Sequence, residues 1–303
     1  MQAGTIASLA WVLLSLTGAA VGQGPIFGFG DNTFGQINVP SGNFIAIAAS
    51  YASSAGIRAD GTLAAWGDNS AGETSVPSGT FRAIDGGQDH YLAIRTDGTA
   101  VGWGFNDSGQ ASPPPGQFIQ VAAGQHHSLG LRPDRTIAYW GASFGGTVPS
   151  GQFLDIAAGL DFSAAVRTDG TLVAWGNNSA GQLNVPSGSY TNVECAADFG
   201  AALRADGQVV FWGLAAPPTV GTLVDITTIS AGFGFVLGLH PDGTLAATAN
   251  ALSILPPGSY SAIAGGGAHG LAIIPSPAGF ALMLASALCS SRPLRNAALS
   301  VRV

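Results

Sequence analysis

The sequence predicts an all-β fold: a seven-bladed β-propeller in which the N- and C-terminal strands share one blade and close the ring. The first observation behind this prediction is a unit of about 36 residues that recurs along residues 23–276. The second is an Asp-Gly turn between apolar segments in nearly every unit, which is a strong hairpin signal. The third is that the chain begins with the second half of a unit and ends with the first half. Joining these halves leaves no exposed sheet edge.

A Trp-Gly step marks the same point in successive units. It recurs at spacings of 35–37 residues, with Phe29-Gly30 before the first step and Thr248-Ala249 after the last. Because a residue repeated in every unit serves the structure of the blade, we expect the tryptophans to be core wedges between blades. Each unit reads as four short antiparallel segments, so we also expect four strands per blade. The tryptophans are Trp66, Trp103, Trp140, Trp175 and Trp212.

The composition excludes several classes of protein. Glycine accounts for 45 of 303 residues, about twice its usual share of roughly 7%, but it has no strict three-residue period and so does not indicate collagen. The apolar content of 47% excludes a disordered polymer. Residues 23–276 hold seven arginines and 17 acidic residues, a balance that argues against nucleic acid as a partner. We expect a monomer without cofactor or bound metal, and the two cysteines imply no disulfide framework.

The two ends of the chain read as targeting segments around one propeller domain. Residues 1–22 contain an apolar run and then small residues suited to cleavage, which predicts an export signal. Residues 277–303 contain a short apolar run followed by Arg292 and Arg295, which predicts a sorting or anchoring tail. The propeller occupies residues 23–276. We therefore expect an extracellular or cell-surface location, with membrane contact only through the terminal segments.

Two resemblances to known families rest on these motifs. The unit A-A-G-x-x-H-S-x-x-L-R-x-D-G-x-x-x-x-W-G-x-N-x-x-G-Q-x-x-x-P resembles the regulator of chromosome condensation repeat, and residues 175–186 are similar to its short bacterial version in the propeller-type β-lactamase inhibitory proteins. The Pro-Ser-Pro step at 275–277, the apolar run and the basic end resemble the PEP-CTERM type of bacterial sorting signal. The first resemblance implies a seven-bladed propeller, whereas the functions of that family vary.

The candidate binding residues are those that break the repeat in one loop of successive blades. They follow the Ala-Ala-Gly step and combine carboxylates with rings, a set that would suit a divalent cation or a basic partner surface. The resemblance to the inhibitory proteins implies aromatic side chains eight residues before each turn Asp, and this sequence has none there. Asp85 and Glu194, which replace small residues, either add negative potential near the axis or lie at the surface. The candidates are Asp89, His90, His126, His127, Asp161, Phe162, Asp198, Phe199 and Phe235.

These patterns favour an exported, non-catalytic propeller that binds a protein or a polymer at the cell surface. One alternative is an inhibitor of a secreted enzyme such as a β-lactamase. A second alternative is an enzyme that uses Asp and His residues in the central funnel, although no catalytic motif stands out in the sequence. The sequence does not identify the ligand.

Overall fold

The computed structural model describes residues 23–213, 223–248 and 255–276, which form 21 β-strands in seven three-stranded antiparallel sheets. The prediction of an all-β, seven-bladed propeller is confirmed. No helix suited to crossing a membrane occurs within these three segments. The predicted export signal at 1–22 and the predicted tail at 277–303 lie outside the described residues.

Blades 1 to 6 each consist of three consecutive strands, and blade 7 combines two strands from the end of the propeller with one from its start. In blades 1 to 4 the strands are β2 (Phe44–Ala49), β3 (Ser53–Arg58), β4 (Leu63–Gly67), β5 (Phe81–Gly86), β6 (His90–Arg95), β7 (Ala100–Gly104), β8 (Gln120–Ala123), β9 (His127–Leu131), β10 (Ile137–Gly141), β11 (Phe153–Ala158), β12 (Phe162–Arg167) and β13 (Leu172–Gly176). In blades 5 to 7 they are β14 (Tyr190–Cys195), β15 (Phe199–Arg204), β16 (Val209–Gly213), β17 (Thr228–Ala231), β18 (Val236–Leu239), β19 (Leu245–Ala247), β20 (Ala262–Gly265), β21 (His269–Ile273) and β1 (Ile26–Gly30).

The ring is closed by pairing of the two ends of the propeller, as the order of the half-units predicts. β1 pairs antiparallel with β21, with Phe27 opposite Ala272 and Phe29 opposite Gly270. The first strand of each blade contacts the first strand of the next, and β20 of blade 7 contacts β2 of blade 1. These seven first strands line a central channel. Closure therefore uses strands about 240 residues apart in the chain.

The hydrophobic core is divided among the seven interfaces between blades. Each interface holds one cluster of buried apolar residues, contributed by strands of both neighbouring blades. Between blades 6 and 7, for example, the cluster contains Phe29, Leu237 and Tyr260. Because a blade buries its faces only against its neighbours, stability depends on the complete ring.

The expectation of a fourth strand is wrong for the blades whose outer segment lies within the described residues, because the segment after the Trp-Gly step forms turns there. Asparagine side chains accept backbone hydrogen bonds that a strand would need for its ladder: Asn69 Oδ1 accepts from Thr74 N, and Asn178 Oδ1 accepts from Leu183 N, both at 2.9 Å. Gly72, at φ +90°, adds a left-handed turn position. Local side-chain hydrogen bonds therefore replace the outermost strand.

Candidate functional site

One end of the channel is bordered by the seven loops that join the first and second strands of the blades, and we call this end the mouth face. Backbone hydrogen bonds join neighbouring loops around the opening. Tyr51 N donates to Gln88 O, and Phe233 N donates to Gly266 O, both at 3.0 Å. The loops span residues 50–52, 87–89, 124–126, 159–161, 196–198, 232–235 and 266–268. The mouth face thus has a rim fastened by its own backbone.

Close approach between loops explains the glycine of the Ala-Ala-Gly step. A Cβ atom placed on Gly124 would lie 2.5 Å from Gly159 O, and one placed on Gly232 would lie 2.5 Å from Gly266 O. Both distances are too short for any side chain, so the backbone of one blade rests against that of the next. The glycine that repeats in the sequence is therefore required by contact between blades.

Five of the predicted binding residues lie inside the propeller: four are the first residue of a second strand, and Phe235 directly precedes β18. All five are at most 1% exposed and pack under the glycine loops. They are His90, His127, Phe162, Phe199 and Phe235. Because they occupy equivalent positions, the imidazole and phenyl rings have the same role, which is to fill the space between neighbouring blades beneath the mouth loops. These side chains therefore support the mouth face from below without reaching its surface.

His90 and His127 each hold a hydrogen bond across a blade interface. His90 Nε2 lies 2.9 Å from Ser128 Oγ, and His127 Nε2 lies 2.8 Å from Ser163 Oγ. Ser128 Oγ in turn donates to Gln110 O, so its oxygen accepts from the imidazole. Burial lowers the pKa of His90 to about 3 and that of His127 to about 4, so both are neutral at pH 7.

The other four predicted residues lie on the mouth face, in the loops of blades 2 to 5. Asp89, His126, Asp161 and Asp198 are all half-buried. Burial raises the pKa of the Asp89 carboxyl, and the charge of Asp68 raises it further. Within the described segments no three Asp, Glu, His or Cys side chains are grouped as metal ligands. The loops thus present separate carboxylates around the opening.

An exposed aromatic pair on the mouth face was not predicted from the sequence. Tyr51 of blade 1 and Phe233 of blade 6 are 50% and 45% exposed, and their rings meet edge to face with centroids 5.7 Å apart. Gly265, Gly266 and Gly267 of blade 7 lie between the two loops and bring no side chain into that space. The pair occupies the position just before the one compared with the inhibitory proteins. A search of both loop positions for aromatic residues would have found it.

Below the mouth, the channel widens into a cavity of about 340 Å³ that contains two of the carboxylates noted in the sequence. Asp85 of blade 2 and Glu194 of blade 5 line this cavity, and Ala123 N donates to Asp85 Oδ2 at 2.8 Å. They therefore lie in the channel and not at the outer surface, as one of the two expectations for them had it. A ring of small residues borders both the mouth and the cavity: Ala49, Gly86, Ala123, Ala158, Cys195, Ala231 and Gly265.

A third carboxylate lies behind the cavity wall and was missed in the sequence. Asp155 is buried and accepts hydrogen bonds from Gln120 Nε2 at 2.6 Å and Val193 N at 2.8 Å. Burial raises the pKa of Asp85 to about 6, and burial together with the charges of Asp155 and Asp85 raises the pKa of Glu194 well above its usual value. The channel therefore brings three carboxyl groups together in a poorly solvated place, where burial and mutual repulsion disfavour their charged forms.

Arginine is confined to the opposite end of the channel, bordered by the turns between second and third strands, which we call the hairpin face. Each of the seven arginines in the described segments lies there, with seven aspartates beside them. The arginines are Arg58, Arg82, Arg95, Arg132, Arg135, Arg167 and Arg204. The mouth face and the segments leaving it carry Asp31, Asp68, Asp89, Asp107, Asp161 and Asp198. The net negative charge of the propeller is thus concentrated at the mouth face and in the channel.

The repeated tryptophans lie at blade interfaces, 6–9% exposed. The indole N–H of Trp103 donates to Glu73 O at 2.7 Å, and that of Trp212 donates to Gln182 O at 2.7 Å. Trp66 and Trp140 make the same bond to Gln36 O and Gln110 O. Trp175 is the exception, because its buried Nε1 has no hydrogen-bond partner. These side chains fasten the outer segment of the preceding blade.

Comparisons with known proteins agree with this fold. The family model of the regulator of chromosome condensation (RCC1) repeat matches residues 81–110 and 153–182. No curated protein matches the chain. Human WBSCR16 is a similar solved structure at TM-score 0.69 and 18% identity, covering 83% of this chain and 100% of that one.

Two further solved structures are similar. Prp20p from Saccharomyces cerevisiae has a TM-score of 0.67 and 12% identity, covering 89% of this chain and 96% of that one. The ectodomain of the Physcomitrella patens receptor kinase CR4 has a TM-score of 0.65 and 20% identity, covering 73% and 68%. The chain thus contains RCC1-type repeats in two blades and has the fold of the RCC1-type propellers.

Proposed function

We propose that this chain is a non-catalytic, exported propeller module that binds a protein through its mouth face. The observation that carries the proposal is the exposed Tyr51–Phe233 pair on the mouth face, where backbone hydrogen bonds join the loops and the loops of other blades carry aspartates. Exposed aromatic side chains on a rigid surface are the usual anchors of protein interfaces. Solved RCC1-type propellers support the same class of function, since Prp20p is described with Gsp1p and histones. The identity of the partner has to be inferred from the surface of this chain itself.

A non-catalytic role fits the position of the histidines. An enzyme of the funnel type would need an imidazole beside the channel carboxylates. His90 and His127 are instead enclosed between blades and hydrogen-bonded to serines. The channel-lining carboxylates Asp85 and Glu194 therefore have neither of these imidazoles as an acid-base partner.

Export is part of this proposal and rests on the apolar run within residues 1–22. The proline step and basic end of the tail support retention at the cell surface. We expect N-terminal sequencing of the protein from its native cells to find a chain that begins after residue 20 or 22. An intact Met1 on protein from the cytoplasm would contradict this part of the proposal without affecting the binding surface.

Photo-crosslinking tests which face binds the partner. A photoreactive amino acid at position 160 samples the mouth face, and one at position 224 samples an exposed apolar site on the hairpin face. Crosslinks to one protein are expected from position 160 alone, and they should disappear when Tyr51→Ala and Phe233→Ala are added. Equal crosslinking from position 224, or crosslinks from position 160 that survive both substitutions, would refute the mouth face as the binding surface.

Inhibition of a secreted enzyme is the second candidate, and the same aromatic pair favours it. Tyr51 and Phe233 lie in the loop that carries the aromatic contacts in the resembling inhibitory proteins, shifted by one position. A purified β-lactamase should then form a stoichiometric complex that Tyr51→Ala weakens. A panel of secreted β-lactamases that all keep full activity at micromolar concentrations of the chain would exclude this candidate.

A further inference from the structure

We propose that the partner is a protein with a positively charged segment, and that a lysine or arginine side chain of this segment enters the channel between Asp85 and Glu194. This inference rests on the proposed function, because it assigns a chemical class to whatever binds the mouth face. It is carried by three features of the described residues: the separation of charge between the two faces, the shape of the channel below the mouth, and the absence of a cation beside its carboxylates.

The separation of charge selects the sign of the partner. Six aspartates surround the mouth face and its outer loops, and each arginine within the described segments lies on the hairpin face. On the hairpin face positive and negative residues are equal in number, so its long-range field is weak. The mouth face would attract a basic segment and repel an acidic one.

The channel selects an extended side chain over a bulky one. All seven residues between the mouth and the cavity are Ala, Gly or Cys, so no long side chain blocks the way inward. The cavity beyond has a volume of about 340 Å³. We call the part of the channel bordered by these seven small residues the neck. A lysine or arginine carries its charge at the end of a slender apolar stem, which suits this neck.

The carboxylates of the cavity lack a cation of their own. The arginines of the described segments are at the far end of the blades, and the charged groups that influence Asp85 and Glu194 are other carboxylates. A poorly solvated charge without a counter-charge is unfavourable, and an incoming ammonium or guanidinium group would supply the missing charge. Glu194 and Asp85 stand on blades 5 and 2, on opposite sides of the ring, so a cation at the axis would lie between them.

The aromatic pair completes the surface. Tyr51 and Phe233 lie beside the neck, where residues that flank the inserted side chain would rest. Aromatic faces attract cations and also pack against apolar stems, so they suit a segment that is basic and partly hydrophobic. The predicted ligand is therefore a short basic stretch of a partner protein with a central lysine or arginine.

Selection from a random dodecapeptide phage library on the immobilised full chain at pH 7.5 tests this inference. Enriched peptides should be rich in lysine and arginine. A synthetic copy of the strongest binder should bind the double variant Asp85→Asn/Glu194→Gln at least tenfold more weakly, with Asp97→Asn on the hairpin face as the control that leaves binding unchanged. Replacing the central basic residue of the peptide by Gln should cause the same loss.

The outcomes separate this inference from the proposed function. Peptides that lose binding in Tyr51→Ala but have no basic preference, or bind the double variant as tightly as the wild type, would overturn the inference and leave the mouth face as the binding surface. Peptides unaffected by either change would overturn both. A library that yields no enriched peptide would overturn the inference. A single cooperative unfolding transition on heating establishes that each variant is folded.

Discussion

Arg135 occupies the turn position at which other blades have glycine, and its backbone adopts the same left-handed conformation as those glycines. Its φ is +69°, in the left-handed region that disfavours residues with a Cβ atom. The turn keeps the same hydrogen bond as the others, with Arg135 N donating to Arg132 O at 2.9 Å. The glycines at the equivalent position are Gly61, Gly98, Gly170, Gly207 and Gly243. Arg135 is thus held in an unfavourable conformation by the hairpin around it.

We expect Arg135→Gly to raise the free energy of unfolding by about 0.5–1.5 kcal/mol, since glycine removes the cost of positive φ. Urea denaturation followed by tryptophan fluorescence measures the change. The control is Gly98→Ala in the matching turn of blade 2, where φ is +92° and the nearest atom to an added Cβ lies 3.4 Å away. It should destabilise by a similar amount. Destabilisation by Arg135→Gly would mean that the arginine side chain contributes more than its backbone costs.

The residues predicted to bind a partner show what periodicity can and cannot indicate. Alignment of the repeats identified the mouth loops and correctly placed Asp89, Asp161 and Asp198 in them. It did not show that the next residue, as in Phe162 and Phe199, turns inward. Nor did it show that Tyr51 and Phe233 turn outward and meet, because Tyr51 belongs to blade 1 and Phe233 to blade 6, with blade 7 between them. Contacts between non-neighbouring blades depend on ring closure and cannot be inferred from one unit.

At the scale of single strands and their outer segments, Trp175 shows how a shortened repeat affects a neighbouring blade. The spacing from Trp140 to Trp175 is 35 residues, and the outer segment between them lacks the Gly-Gln or Gly-Glu step found at 35–36, 72–73, 109–110 and 181–182. In four other blades the indole N–H bonds to the carbonyl 30 residues earlier. For Trp175 that carbonyl is out of place, and the N–H is buried without a partner. Shortening of the outer segment after blade 3 therefore leaves a buried N–H without a hydrogen bond in blade 4.

Replacing tryptophan by phenylalanine should reveal this difference. Trp212→Phe removes a 2.7 Å hydrogen bond to Gln182 O, whereas Trp175→Phe removes an N–H that has no partner. Both side chains are 6% exposed, so the loss of packing is comparable. We expect Trp212→Phe to lower the free energy of unfolding by about 1–2 kcal/mol more than Trp175→Phe. Equal losses in chemical denaturation would show that the indole bond has no net effect.

The outer segments also show where sequence reasoning overestimated regular structure. A four-stranded blade was expected, yet each described sheet has three strands. The asparagines and glycines that repeat in these segments were already visible as turn residues. Their side-chain hydrogen bonds, such as Asn178 Oδ1 accepting from Leu183 N, compete with a strand ladder. The period identified the blade, and local chemistry determined how many strands it contains.

For the whole molecule, stability depends on joining the two ends of the ring. Phe29 on β1 is 6% exposed and packs with Phe235 and Tyr260 between blades 6 and 7. We expect Phe29→Ala to destabilise the propeller by about 3–5 kcal/mol. Phe27→Ala on the same strand is the matched control, because Phe27 is 42% exposed and should cost less than about 1 kcal/mol. Similar melting temperatures for the two variants would contradict closure by β1.

The buried carboxyl groups of the channel make the free energy of unfolding depend on pH, and substitution of Asp85 separates its contribution from the others. The pKa of Asp85 is about 6 in the folded protein against an ordinary 3.8, mainly because of burial, with Asp155 adding repulsion. A raised folded pKa means that the group favours folding below pH 4 and that this contribution is lost as the pH rises through 6. The histidines titrate in the opposite sense, since burial lowers the pKa of His90 and His127. The wild-type profile therefore combines opposing effects.

Asp85→Asn removes one of these effects and keeps the acceptor for Ala123 N. The difference in unfolding free energy, variant minus wild type, should increase between pH 4 and pH 7.5 by an amount of the order of 1–3 kcal/mol. Asp97→Asn is the control with the opposite sign, because hydrogen bonds from Thr99 lower the pKa of Asp97 and favour folding above pH 4. That variant should be less stable than the wild type at pH 7.5 and equal to it in acid. If the difference in unfolding free energy between Asp85→Asn and the wild type is the same at both pH values, the pKa of Asp85 is not raised in the folded protein. The channel carboxylate would then be solvated by water and would have no need of a cation from a partner.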